Sequence, residues 1–99
     1  MQIRHGDLLL IRKSDVVQKV PTGKKAILAR GEATGHTHTL VAGKTGFIDF
    51  SDDVVTVAGE SAALKHQEHK TLEIPVGIWE LRQQAEWVNA NKEYRYVRD

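Results

Sequence analysis

The chain has no cysteine. Disulfides and thiolate metal sites are therefore excluded, and any metal would need nitrogen or oxygen ligands. The absence suits a reducing compartment, and a cytoplasmic location is expected. Long apolar runs are missing too. The longest, Leu8 to Ile11, falls far short of the roughly 20 residues a membrane helix needs. The opening Met1-Gln2-Ile3-Arg4-His5-Gly6-Asp7 lacks the apolar core of a signal peptide, so no membrane partner is expected. Neither sign of charge dominates, with 14 Lys plus Arg against 13 Asp plus Glu. No global field attracts nucleic acid. Several catalytic patterns are absent as well. There is no Gly-rich phosphate loop, no Gly-x-Ser-x-Gly elbow and no His-Glu-x-x-His.

What remains is a chain of 99 residues with strand-like patterning and turn residues at short intervals. That length makes one domain, residues 1–99, with one modest core. Gly6-Asp7 reads as a turn into a strand from Leu8 to Arg12 or Lys13, apolar on both faces at its start. Ser14-Asp15 has the chemistry to cap a helical turn through Gln18. Pro21-Thr22-Gly23 is a turn before the strand Ala26 to Arg30. His36 to Ala42 and Phe47 to Phe50, joined by Gly43-Lys44-Thr45-Gly46, read as a β-hairpin. Further strands are expected at Val54 to Ala58, Ala62 to His66, Lys70 to Ile74, Ile78 to Gln84 and Glu93 to Arg98. This pattern predicts an all-β fold, a small barrel or sandwich.

The chemistry is concentrated in histidine, of which there are five. His36 and His38 share one face of an extended strand, because side chains alternate with period two. Glycines Gly31 and Gly35 in front of them suit a bulge that re-aims both rings. A second cluster lies downstream at His66-Gln67-Glu68-His69. If that segment is extended, His66 and Glu68 share a face; if it forms a compact turn, His66 and His69 do. Only His5 stands outside the two clusters. The expected site is a metal centre on His36, His38, His66 and His69, holding a divalent transition metal such as zinc, iron, manganese or nickel. Glu32 and Glu68 are the candidate catalytic carboxylates, as general bases or as groups that fix a histidine tautomer. The competing reading is a non-enzymatic module whose histidines are satisfied structurally or line a pocket.

Trp79, on a patterned strand, is expected in the core. Trp87, Tyr94 and Tyr96, interleaved with Arg95 and Arg98, suit a subunit interface, so a homo-oligomer is expected. Arg82, Gln83 and Gln84 could clamp an anionic small molecule, or form a solvated strand face.

Gly31 with His36-Thr37-His38 resembles the opening of the first cupin motif. That resemblance implies a metal-binding β-barrel. The glutamate the motif needs after His38 is missing, and Pro75-Val76-Gly77 comes after the second histidine cluster instead of preceding it. More of the chain is similar to a family of short, uncharacterised bacterial and phage proteins. The similarity runs through Gly-Glu-Ala-Thr-Gly-His-Thr-His at 31–38, His66-Gln67-Glu68-His69, and Pro75-Val76-Gly77-Ile78-Trp79-Glu80 with Arg82-Gln83. It implies that the two histidine clusters belong to one constellation and that a phage or prophage origin is plausible.

Overall fold

Turn chemistry and alternation build this molecule from hairpins. A computed structural model describes residues 1–30 and 35–83 in full, and the backbone alone of residues 85–88 and 93–96. The strands are β1 (Gln2–His5), β2 (Leu8–Ser14), β3 (Lys25–Arg30), β4 (Thr37–Val41), β5 (Phe47–Ser51), β6 (Val54–Ala58), β7 (Ala62–Lys65), β8 (Leu72–Ile74), β9 (Gly77–Gln83), β10 (Ala85–Val88) and β11 (Glu93–Tyr96). No helix occurs among the described residues, so none is long and apolar enough to cross a membrane.

Two antiparallel sheets face each other. One has the order β1-β2-β9-β6-β5 and the other β3-β4-β7-β8, while β10 and β11 form a separate hairpin. Along one flank the sheets are joined by the Gly23–Ile48 bridge, with Ile48 N–H donating to Gly23 O at 2.8 Å. On the opposite flank β1 and β8 are sheet edges. The result is a sandwich, not the closed barrel that the cupin resemblance implies.

Register decides what faces inward, because residues paired across an antiparallel ladder share a face. On the larger sheet, Leu10 pairs with Leu81 and lies beside the buried Trp79, Val55, Val57 and Ile48. On the smaller, Leu40 pairs with Leu64, and Ala62 with Ile74. These residues form one buried cluster. Each large apolar side chain in it contributes roughly 1.5–3 kcal/mol by leaving water. Trp79 satisfies its indole N–H on Pro75 O at 3.0 Å, and the Arg12 guanidinium stacks on its ring while donating to Val76 O.

Several expectations are corrected. Leu8 to Ile11 is not buried on both faces; it alternates buried and half-buried. Residues 15–20 form no helical turn, because the Ser14 hydroxyl closes a short turn on Val16 instead. β4 and β5 are not a hairpin. β4 pairs with β3 and β7, and β5 pairs with β6, so Gly43-Lys44-Thr45-Gly46 carries the chain from one sheet to the other. The observed register shifts lie in β3, between Ile27 and Ala29, and in β2, between Arg12 and Ser14. Gly31 lies outside the described residues. Two further strands, β1 and β10, sit where no strand was expected.

The β1–β2 turn fixes one end of the core. Two residues, Gly6 and Asp7, join His5 to its partner Leu8, and Gly6 sits at φ 62°. Glycine in the first place is what a tight primed turn of this kind selects. A side chain there meets the left-handed penalty of roughly 1–2 kcal/mol. Gly6→Ala is therefore expected to lower the urea unfolding free energy by about that amount; an unchanged midpoint would show that the turn tolerates another geometry.

Candidate functional site

The inner faces stay apolar along most of the sandwich and then change character at one end. Leu40 and Leu64 are paired, so the next inward positions along β4 and beyond β7 are His38 and His66. Leu8 is paired with both His5 and Gln83 on the opposing sheet. The end of the core is thus capped by His5, Gln83, His38 and His66. Asp7, from the β1–β2 turn, completes the cap and is 2% exposed.

All five histidines converge there. Ring centroids lie 5.1 Å apart for His5 and His38, 4.5 Å for His38 and His66, 4.4 Å for His66 and His69, and 5.4 Å for His36 and His66. The four histidines expected at the site are therefore brought together. His5, which the spacing left outside, packs against three of them. A signal for His5 was present. Gly-Asp between Ile3-Arg4-His5 and Leu8 is a two-residue hairpin loop, and the pairing it dictates puts His5 on the core face.

The second cluster is a bend, not a strand. His66 closes it, because the backbone N–H groups of Glu68 and His69 donate to His66 Nδ1 at 3.0 and 3.3 Å. This is the compact alternative, in which His66 and His69 become neighbours. Two contacts tie the bend to the start of β4. Thr37 N–H donates to Gln67 Oε1 at 3.0 Å, and Glu68 Oε1 lies 3.3 Å from His36 Nδ1. Glu68 is the more exposed member of that pair, at the rim of the cluster. Glu32, the other candidate carboxylate, lies outside the described residues.

At the buried centre, proton positions can be worked out from partners. His5 Nε2 lies 2.9 Å from Lys70 O, and a carbonyl only accepts, so Nε2 carries a hydrogen. His38 Nε2 lies 3.2 Å from the Asp7 carboxylate, which favours a hydrogen on that nitrogen as well. Gln83 Nε2 donates to the other Asp7 oxygen at 2.8 Å. The two inner nitrogens, His5 Nδ1 and His38 Nδ1, then face each other at 2.9 Å. Two neutral rings held this way oppose lone pair to lone pair. A proton shared by the pair, a metal ion, or a hydrogen carried on His38 Nδ1 with Asp7 holding its own towards Nε2 relieves that contact. Burial, chiefly, holds the His5 pKa below the usual histidine value; the Lys70 carbonyl opposes the shift, and the surrounding histidines add to it.

His38 is wholly buried and His5 nearly so. Metal-binding histidines typically donate their second nitrogen to a carboxylate or a backbone carbonyl, and His38 and His5 have those two partners. Among the described residues, no group of three or more histidine or carboxylate side chains is already arranged to hold a metal ion. The lone pair of His66 Nδ1 is engaged by backbone N–H groups. A third ligand therefore requires a ring to turn. Arg82 does not clamp this site; it bonds Glu80 on the exposed face at 2.9 Å. Gln83 does enter it, by way of Asp7.

A family model covering a domain of unknown function, DUF8820, matches residues 4–84. The chain belongs to the DUF8820 family. The DUF8820 match takes in all five histidines, Asp7 and Gln83, and stops short of β10 and β11. This agrees with the resemblance to an uncharacterised family. No curated protein and no solved structure matches the chain.

Removing Asp7 leaves His38 without its buried carboxylate partner. Breaking a buried ion pair in this way costs about 3–5 kcal/mol. Asp7→Ala is expected to lose that much in urea unfolding, whereas a loss below about 1 kcal/mol, the range of a surface pair, would show that Asp7 balances no buried charge.

Proposed function

We propose that this domain binds a divalent transition metal in its histidine cluster. His5 and His38 supply two ligands through Nδ1, and His69, His66 or His36 completes the set after a ring rotation. The observation that carries the reading is the facing pair of Nδ1 atoms, whose outer nitrogens are already committed to Lys70 O and Asp7. Those partners fix the tautomers in the ligating form before a metal arrives. An all-imidazole set beside carboxylates suits zinc, iron, manganese or nickel. If the metal works in catalysis, it would activate a water or polarise an oxygen of the ligand. Glu68, at the rim beside His36, is the described carboxylate placed to move a proton there.

One observation favours a second reading. With a proton in place of the metal, Lys70 O, His5, His38, Asp7 and Gln83 are linked in one run of polar contacts, with the ion pair between His38 and Asp7 at 3.2 Å. The histidines would then be a polar plug joining the two sheets at their open flank.

Metal content of untagged protein, measured by mass spectrometry, separates the two. The metal reading predicts a stoichiometric complement of one of these metals, lost in His36→Ala/His66→Ala/His69→Ala with the circular dichroism of the fold retained. Those three rings are only partly buried, so the core survives their removal. Metal-free protein that stays metal-free after reconstitution would leave the plug standing and sink the metal site.

A further inference from the structure

The outer face of the smaller sheet is polar and cationic at its centre. β4 turns Thr37, Thr39 and Val41 outward, opposite to the buried His38 and Leu40. The strands on either side add Lys25, opposite Val41, and Lys65, opposite Thr39. Arg30 pairs with Thr37 at the edge of this patch. A shallow hollow of about 480 Å³ lies here, lined by Lys25, Thr37, Thr39, Lys65, His66 and Gln67 together with Val41.

Several cations elsewhere on the molecule are committed to partners. Lys13 and Arg82 both bind Glu80. Lys24 donates to Gly46 O and covers the Phe47 ring, and Arg12 binds Val76 O over Trp79. Lys25, Arg30 and Lys65 have no hydrogen bond or ion pair among the described residues. No carboxylate among the described residues lines the hollow; Glu73, across the ladder from Ala63, belongs to the adjoining cleft beyond Lys65. The Thr37 and Thr39 hydroxyls lie 3.0 Å apart at its floor. Gln67 commits its side-chain oxygen to Thr37 N–H, which leaves its amide N–H groups as donors. Ammonium groups, hydroxyls and amide donors on one small surface are the set that recognises an oxyanion.

We propose that this hollow is an oxyanion subsite, and that the domain's ligand is a small molecule bearing a phosphate or carboxylate group. Lys25 and Lys65 hold the anionic group against Thr37 and Thr39. His66, which lines the hollow and packs on His38 and His69, is the shared wall between this subsite and the histidine cluster. The subsite stands on its own lining residues. That its ligand extends to a metal beyond His66 rests on the metal-binding reading of the histidine cluster.

The test is a titration of chelator-treated, isotopically labelled protein with inorganic phosphate, followed by amide NMR at low ionic strength. Sodium chloride of matched ionic strength is the comparison. The expected result is a saturable shift confined to Lys25 and its strand neighbours, residues 37–41 and residues 63–67. Binding should weaken about tenfold or more in Lys25→Ala/Lys65→Ala, since each lost charge-assisted contact is worth over 1 kcal/mol. It should be unchanged in Lys19→Ala, which lies on the distant β2–β3 loop. Acetate and glycerol phosphate in parallel titrations distinguish a carboxylate from a phosphate ester. No shift, or the same shift with chloride, overturns the subsite. Because the protein is metal-free throughout, these outcomes do not depend on metal binding. A repeat on metal-loaded protein then reports the link, which predicts tighter phosphate binding; equal affinity in both forms removes the link and leaves the subsite.

Discussion

Two imidazole nitrogens 2.9 Å apart, on rings whose outer nitrogens face the Lys70 carbonyl and the Asp7 carboxylate, govern the buried end of this sandwich. Such a contact needs a hydrogen or a metal ion between the two nitrogens. Everything near it serves that requirement. The Lys70 carbonyl and the Asp7 carboxylate hold hydrogens on the far sides of the two rings, and Gln83 holds Asp7. The elements that supply these groups are far apart in sequence. His5 and Lys70 are separated by 65 positions, and Asp7 and Gln83 by 76. The contact therefore belongs to the folded state alone, and the pairing of β1 with β2 and of β4 with β7 makes it.

The consequence for chemistry comes from the setting. His38 and Asp7 are almost fully shielded from water, so charge interactions among them are stronger than at a surface. The two ends of the cluster differ in kind. At the buried end the rings have fixed tautomers. At the rim, His36 and Glu68 meet solvent, and the 66–69 bend is held by one hydrogen bond from Thr37 and two to its own His66. A rigid pair of ligands beside a segment able to re-form is a workable arrangement for capturing an ion. It also places the more adaptable ring, His66, next to the cationic hollow on the outer face.

Much of this was legible in the sequence, for identifiable reasons. β-Branched content in Val54 to Ala58, or the alternation of Trp79 and Leu81 with Glu80 and Arg82, is a local property, and the strands appear where it predicts them. The His-x-His spacing pointed to converging rings because His38 continues the inward face of Leu40. His5 was hidden because its part depends on a hairpin in a segment with only one strongly apolar residue close before its turn, Ile3. The Gly43 to Gly46 turn misled because the same residues reverse a chain within a sheet or between sheets, and only the partners of β4 and β5 decide which. The state of His66-Gln67-Glu68-His69 was open because both alternatives satisfy local geometry. The contact of Gln67 with Thr37, thirty positions away, helps hold the bend.

Imidazole nitrogens report directly where hydrogens sit, and the facing His5–His38 pair turns on that placement. Long-range proton–nitrogen NMR of the metal-free protein would assign each ring's tautomer. The geometry predicts a hydrogen on His5 Nε2, a lone pair on His66 Nδ1, and one strongly deshielded proton shared between His5 Nδ1 and His38 Nδ1. A His5 ring that carries its hydrogen on Nδ1 alone, with a bare Nε2 towards Lys70 O, would contradict it.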